Sequence, residues 1–160
     1  MKIAIYIRQY TAENESILQQ LFSLFTPDDQ VYIEQEILSE LQQRSDTFNS
    51  AKSFASFEDL NPSYDVMLTI GGDGTLLKGI TYVRSLQIPI LGINAGRLGF
   101  LATAHKDDLP NVLEQLRKGD YQVVERSVIE AVFADTGEPV DTVNFALNEI
   151  TVTRKNTASM

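Results

Sequence analysis

Gly71-Gly72-Asp73-Gly74 sets one carboxylate among three glycines, between an apolar run ending at Ile70 and a helical pattern beginning at Thr75. Glycine reaches positive φ without a Cβ penalty and lets a bulky anion approach the backbone. A helix starting near Thr75 offers unpaired N–H groups and a partial positive charge at its first turn. Loop and helix end together can hold phosphates without any Lys. The Asp73 carboxylate, projecting from the same loop, could take a proton from an alcohol attacking phosphorus. That combination suits phosphoryl transfer, where positioning and charge compensation dominate and a divalent ion shares the load. The plainer alternative is that Asp-Gly makes an ordinary turn and Asp73 caps the helix.

Other nucleotide loops are missing. The chain contains no G-x-x-x-x-G-K-[ST] phosphate loop. The turn after the first strand, residues 9–13, has no Gly, so the G-x-G-x-x-G fingerprint is absent from its usual place.

The loop needs a frame to hold it. Residues 2–8 form a compact β-branched and aromatic run that reads as a buried strand. Over residues 13–25, Ile17, Leu18, Leu21, Phe22, Leu24 and Phe25 recur at helical spacing, and Pro27 and Asp28 stop the helix. Residues 31–33 read as a short strand, and Ile37, Leu38 and Leu41 mark a second helix. The polar stretch 45–56 reads as a loop or a poorly packed helix. Asn61-Pro62 introduces the strongest strand, 64–70, which runs straight into the glycine loop. A helix over 75–86 follows, then a strand over 88–92, a second loop over 94–100, and a helix over 107–118 closed by Gly119-Asp120. Such alternation predicts helices on a mostly parallel sheet.

The pattern then changes. Residues 121–134 and 140–153 are extended segments joined at Asp135-Thr136-Gly137-Glu138-Pro139, with nothing helical between them, so they are expected to pair antiparallel. Two strands alone can neither bury both faces nor satisfy their edges. The expected organisation is an α/β nucleotide-binding domain over 1–119 and the incomplete start of a β-rich domain over 120–160.

Composition narrows the function classes. At 160 residues and 43% hydrophobic, the chain can build an ordinary core. A net charge of −9 leaves no basic field for nucleic acid. With no Cys and a single His, His105, neither a disulfide nor a protein-held transition-metal site is credible. His105 precedes Lys106-Asp107-Asp108 and reads as a surface residue at a helix entry. The N-terminus is too soon polar for a signal peptide, and no apolar stretch is long enough to span a bilayer. A cytoplasmic location is expected, with no membrane partner.

At Gly71-Gly72-Asp73-Gly74-Thr75 the sequence resembles a superfamily containing NAD kinases, diacylglycerol and sphingosine lipid kinases and, more remotely, phosphofructokinases. The segment 94–101, Asn-Ala-Gly-Arg-Leu-Gly-Phe-Leu, is similar to the N-x-G-x-L-G-F segment of NAD kinases and lies one strand further on, as in that family. Ala146-Leu147-Asn148-Glu149 resembles the family's A-L-N-E/D motif, and Tyr121-x-Val123-x-x-Arg126 is a weaker echo. Three ordered motifs span nearly the whole chain.

The resemblance implies a Rossmann-like, phosphofructokinase-like α/β domain followed by the beginning of an all-β domain. It implies ATP-dependent phosphorylation of NAD with a divalent cation, Mg²⁺, and a homodimer or homotetramer. In that reading Asp73 is the proton acceptor for the 2′-hydroxyl of the adenosine ribose. Gly71, Gly72, Gly74 and Thr75 support phosphates. Leu77 and Phe100 lie near the adenine or belong to the core, and Lys78 approaches the nucleotide or is a solvated helix residue. Asn148 and Glu149 hold NAD through its sugars and adenine. A carboxylate within a strand pattern is costly unless paired or exposed, and a ribose diol is a good partner for Glu149. Asn94 and Gly96 shape the second loop, Asn94 through an Asx hydrogen bond or by touching ligand. Arg97 carries no assigned role. Two other functions compete: a lipid kinase with the same first loop, which has no need of Asn148 and Glu149, and a non-catalytic sensor that binds NAD or NADP and signals through its β-half, which has no need of a base at Asp73. Family subunits are longer, so residues 1–160 alone are expected to bind NAD weakly and turn over slowly or not at all.

Overall fold

The computed structural model describes residues 1–96 and 99–153. Arg97 and Leu98 of the second loop lie outside the described residues. Strand β1 (Lys2–Ile7) sends Ile3, Ile5 and Ile7 into one apolar cluster and Ala4 and Tyr6 into another. A strand buried on both faces reads as a continuous apolar run, the signature of a covered parallel sheet. Helix α1 (Ala12–Leu24) starts where Thr11 Oγ1 accepts the Asn14 N–H at 3.1 Å, and it buries Ile17, Leu18 and Leu21. Strand β2 (Gln30–Glu34) leads directly into α2 (Gln35–Gln42), whose first turn is capped by the Glu34 carboxylate accepting the Glu36 and Ile37 N–H groups.

After a short edge strand, β3 (Lys52–Phe54), come β4 (Val66–Ile70), α3 (Asp73–Val83), β5 (Ile90–Asn94), β6 (Ala104–His105) and α4 (Leu109–Lys118). The six strands form one sheet, all neighbours parallel, in the order β3-β2-β1-β4-β5-β6. Ile17 and Leu21 of α1 and Leu113 of α4 share the Ile3/Ile5/Ile7 cluster, whereas Val83 of α3 shares the cluster of Ala4, Tyr6 and Met67. Helices therefore cover both faces, as a doubly wound sheet requires. The chain steps outward one way through β1, β2 and β3 and the other way through β4, β5 and β6. Its reversal falls between β1 and β4, and open α/β sheets bind ligands beyond the carboxyl ends of their strands at that point.

Several boundaries differ from those expected. The stretch 45–56 holds a 3₁₀ turn (Asp46–Phe48) and β3. Phe48 is fully buried against Phe22, so this segment is packed, but β3 exposes Lys52 and Ser53 at the sheet edge and has almost no apolar signal. Helix α3 begins at Asp73 and ends at Val83, where Arg84 turns to φ 47. Strand β5 runs through Asn94, which belongs to the sheet and not to the loop after it. A 3₁₀ turn (Lys106–Asp108) precedes α4, and Gly119, at φ 68, closes that helix. His105 is an exposed residue at this entry, its Nδ1 accepting the Asp107 N–H.

The chain divides into two compact units, Met1–Val123 and Val124–Met160. In the second, strand pairing among the described residues is confined to β7 (Ile129–Glu130) with β8 (Phe145–Ala146), antiparallel, and a bridge between Val132 and Pro139. The two long strands expected over 121–134 and 140–153 are thus reduced to short pieces. Their β-forming residues lack a covering layer among the described residues of this unit: Val124, Val128, Phe133 and Val140 all stay exposed. No helix among the described residues is long and apolar enough to cross a membrane.

Candidate functional site

All five residues of β4 are buried between β1 and β5, so the strand delivers its C-terminal end to a fixed point. Gly71 follows at φ 147, with its N–H donated to the Ile93 carbonyl at 2.9 Å. A Cβ there would be strained and would lie 3.0 Å from Thr75 Cβ, overlapping the Thr75 hydroxyl. Gly72 is the N-cap of α3 and has no side chain to satisfy the first turn. The N–H groups of Asp73 and Gly74 have no hydrogen-bond partner among the described residues. An open helix end of this kind attracts anions.

Asp73 does not cap its own helix. Its carboxylate reaches across to the second loop, where Oδ2 accepts the Phe100 N–H at 2.9 Å and Oδ1 accepts the Leu101 and Ala102 N–H groups, each at 3.0 Å. The Ala102 amide, followed by those of Leu101 and Phe100, holds the carboxyl below its ordinary range, so it is an anion at neutral pH. Gly99 is the residue that makes room for it. A Cβ at Gly99 would overlap the carboxylate, lying 2.6 Å from Asp73 Cγ.

The second loop is itself held from below. Asn94, 1% exposed at the end of β5, accepts the Gly96 N–H on Oδ1 at 2.7 Å, the Asx contact expected of it. Gly92 lets the returning chain touch β5: a Cβ there would lie 2.6 Å from Ala102 Cα and 3.0 Å from Leu76 Cδ1. Gly92→Ala forces backbone against backbone, and a loss of about 1–3 kcal/mol in unfolding free energy is expected by denaturant titration. A midpoint equal to that of the parent would show that the loop is not seated on β5.

Beside the glycine loop lies an open groove of about 510 Å³ lined by Tyr6, Arg8, Leu77, Lys78 and Thr81. Burial, with Tyr82 and Glu34 nearby, pushes the Tyr6 phenol up to about 12, so it stays neutral. Leu77 is half-buried and Lys78 is exposed. Phe100 is 95% exposed, which removes it from the core and leaves its ring free on the loop. Thr75 is buried behind the glycines.

Asn148 and Glu149 belong to the second unit and are exposed. Glu149 lies past β8, outside any strand, so the strand-burial argument for it does not hold. Among the described residues no three His, Asp or Glu side chains come together to hold a metal ion. The sequence reading passes over two residues that touch this site. Gly99 stood within a quoted motif without a role, and Arg8 stood at the end of the first strand, where the rule for sheet reversal points.

Residues 5–121 match the family model of the ATP-NAD kinase N-terminal domain. Over its whole length the chain is 38% identical to an NAD kinase of Flavobacterium psychrophilum and 41% identical to one of Christiangramia forsetii, covering 55% of each. The chain therefore spans about half the length of the curated relatives it matches. Yeast NADH kinase, solved in complex with NADH, superposes with a TM-score of 0.77 at 19% identity over 92% of this chain and 44% of that one, a likeness of fold. With the family model matched over most of its length, the chain belongs to the ATP-NAD kinase family, of whose N-terminal domain it carries the fold.

Proposed function

We propose that the protein transfers the terminal phosphoryl group of ATP to the 2′-hydroxyl of the adenosine ribose of NAD, giving NADP and ADP. The observation that carries this reading is the fixed carboxylate of Asp73 at the open end of α3. An ionised carboxylate has about four lone-pair positions. Two amides occupy Oδ1 and one occupies Oδ2, so Oδ2 keeps one position for a ribose hydroxyl. Asp73 orients that hydroxyl and receives its proton as the new P–O bond forms and the bond to the ADP oxygen breaks. A loose transition state asks little of a base and much of position, which suits a carboxylate held this tightly.

The remaining site residues take the roles implied by the family motifs. Gly71, Gly72, Gly74 and Thr75 line the phosphate loop, Leu77 and Phe100 offer apolar surface to the adenine, and Lys78 meets phosphate. Asn94 shapes the second loop from within. Asn148 and Glu149 bind the sugars of NAD. The three amides already take most of the Asp73 carboxylate, and no acidic cage accompanies it among the described residues. Mg²⁺ would therefore be held chiefly by donor phosphates and water, its usual habit, and would supply charge neutralisation. The reading includes a cytoplasmic homodimer or homotetramer, on family resemblance alone.

The test is incubation of the protein extended to the length of its relatives with ATP, Mg²⁺ and NAD, with NADP read by a coupled dehydrogenase. NADP formation dependent on all three is expected. Phosphorylation of diacylglycerol supplied in a parallel incubation, with no NADP formed, would make it a lipid kinase, and NAD binding without turnover would make it a sensor.

A further inference from the structure

Arg8 is the first residue after β1, and Gly71 is the first after β4, so the two stand side by side at the reversal of the sheet. The turn after β1 has no glycine to bring phosphate against the backbone. It has a guanidinium instead. Arg8 is exposed, and its Nη1 lies 3.8 Å from where a Cβ on Gly74 would stand, over the first turn of α3. It shares the groove with Lys78, which projects one helical turn beyond Gly74.

The pairing of the other cations sharpens the point. In the first unit Arg44, Lys106, Arg117 and Lys118 are in ion pairs, and Lys2, Lys52 and Arg84 lie over aromatic rings. The side chains of Arg8 and Lys78, among the described residues of that unit, have neither an ion pair nor a hydrogen bond. In a chain with 22 acidic residues and a net charge of −9, two unpaired cations in one groove are not a product of scarce partners. Like charges facing one groove repel until an anion enters it.

We propose that Arg8 binds the phosphate chain of the phosphoryl donor, with Lys78 in the same groove and the open first turn of α3 beside it. This rests on the kinase reading only in calling that anion the donor. A guanidinium fork matches phosphate oxygens bidentately, so Arg suits this position better than Lys. The shared chemistry is a phosphoanhydride chain, which ATP and inorganic polyphosphate both offer.

The test is calorimetric titration of the protein, its Arg8→Gln variant and its Arg8→Lys variant with ATP, inorganic tripolyphosphate and NAD separately. Arg8→Gln is expected to weaken ATP and tripolyphosphate about tenfold alike, the size of one charge-assisted contact. Arg8→Lys should fall between the two, with NAD affinity within about twofold throughout. Because Arg8 is exposed, both variants should keep the parent far-UV spectrum. Absence of tripolyphosphate binding in the parent, unchanged binding in Arg8→Gln, or a loss for ATP alone would overturn the proposal. An equal loss for NAD would move Arg8 to the acceptor's pyrophosphate and overturn the donor assignment. A parent that binds tripolyphosphate through Arg8, while the protein extended to the length of its relatives forms no NADP, would sink the kinase reading and leave this anion site standing.

Discussion

In the protein extended to the length of its relatives, Asp73→Asn is expected to lower the rate of NADP formation about 10²–10⁴-fold, the range spanned by general bases, while NAD still binds. The substitution acts twice. It removes the negative oxygen that the proposed mechanism sets against the ribose hydroxyl, and it sets an amide NH₂ against the Phe100 N–H, donor to donor. The Oδ1 position can keep its bonds from Leu101 and Ala102, so the loop loosens on one side only. The folded domain should therefore survive, and loss of turnover should exceed any change in KM for NAD. Turnover within about fivefold of the parent would take Asp73 out of the chemistry.

The pH profile adds an independent check. Because the three amides lower its pKa, Asp73 gains its proton only below the ordinary carboxylate range. The acceptor function proposed for it is expected to be present above that pKa and to be lost only as pH falls through it. For the same reason, the stabilisation from the carboxylate–loop bonds is present above the unfolded-state value and disappears as pH falls through the folded one. The rate should stay level as pH is lowered through the ordinary carboxylate range. An acid limb within that range, absent from Asp73→Asn, would show that the loop does not hold the carboxylate in the working enzyme.

What could be read from the sequence depended on how locally each feature is encoded. Strand β4 was legible because Val66, Met67, Leu68, Thr69 and Ile70 are all buried and a glycine ends the run. Helix α1 was legible because Ile17, Leu18 and Leu21 repeat on one face. Strand β3 was not, since three residues with two exposed polar side chains give no periodicity, and β6 is shorter still. The second unit misled in the opposite sense. Its valines have the strand-forming character, but without a second layer only four residues pair as strands among those described.

At the site, the glycine loop and its carboxylate stood out by composition alone, whereas the contact that defines their geometry did not. Asp73 meets donors 27 to 29 positions away, and all three are backbone N–H groups, which every residue but proline has. No side-chain type marks such a contact. Phe100 illustrates the same limit: its ring could have been core or surface, and only its 95% exposure decides. Arg8 looked like the polar end of a strand, and it gains meaning only once β1 and β4 are seen to be neighbours at the reversal of the sheet.

Gly99→Ala tests that geometry directly. A methyl group there would overlap the Asp73 carboxylate, so the side chain or the loop must move. The obstructed atoms are the end of a side chain, not packed backbone, so little stability is at stake. The expected result is a thermal midpoint near that of the parent with kcat lowered about 10²-fold, the scale of a misplacement of about 1 Å. Gly92→Ala should do the reverse, costing stability first, because its clash is with the Ala102 backbone. The decisive measurement is the double variant. If Gly99 acts only by leaving Asp73 where it belongs, then adding Gly99→Ala to Asp73→Asn should cost almost nothing more, since residues that act as a unit are not additive. Two full losses multiplied together would mean that Gly99 serves the reaction through some other group, and that the carboxylate does not depend on the loop for its place.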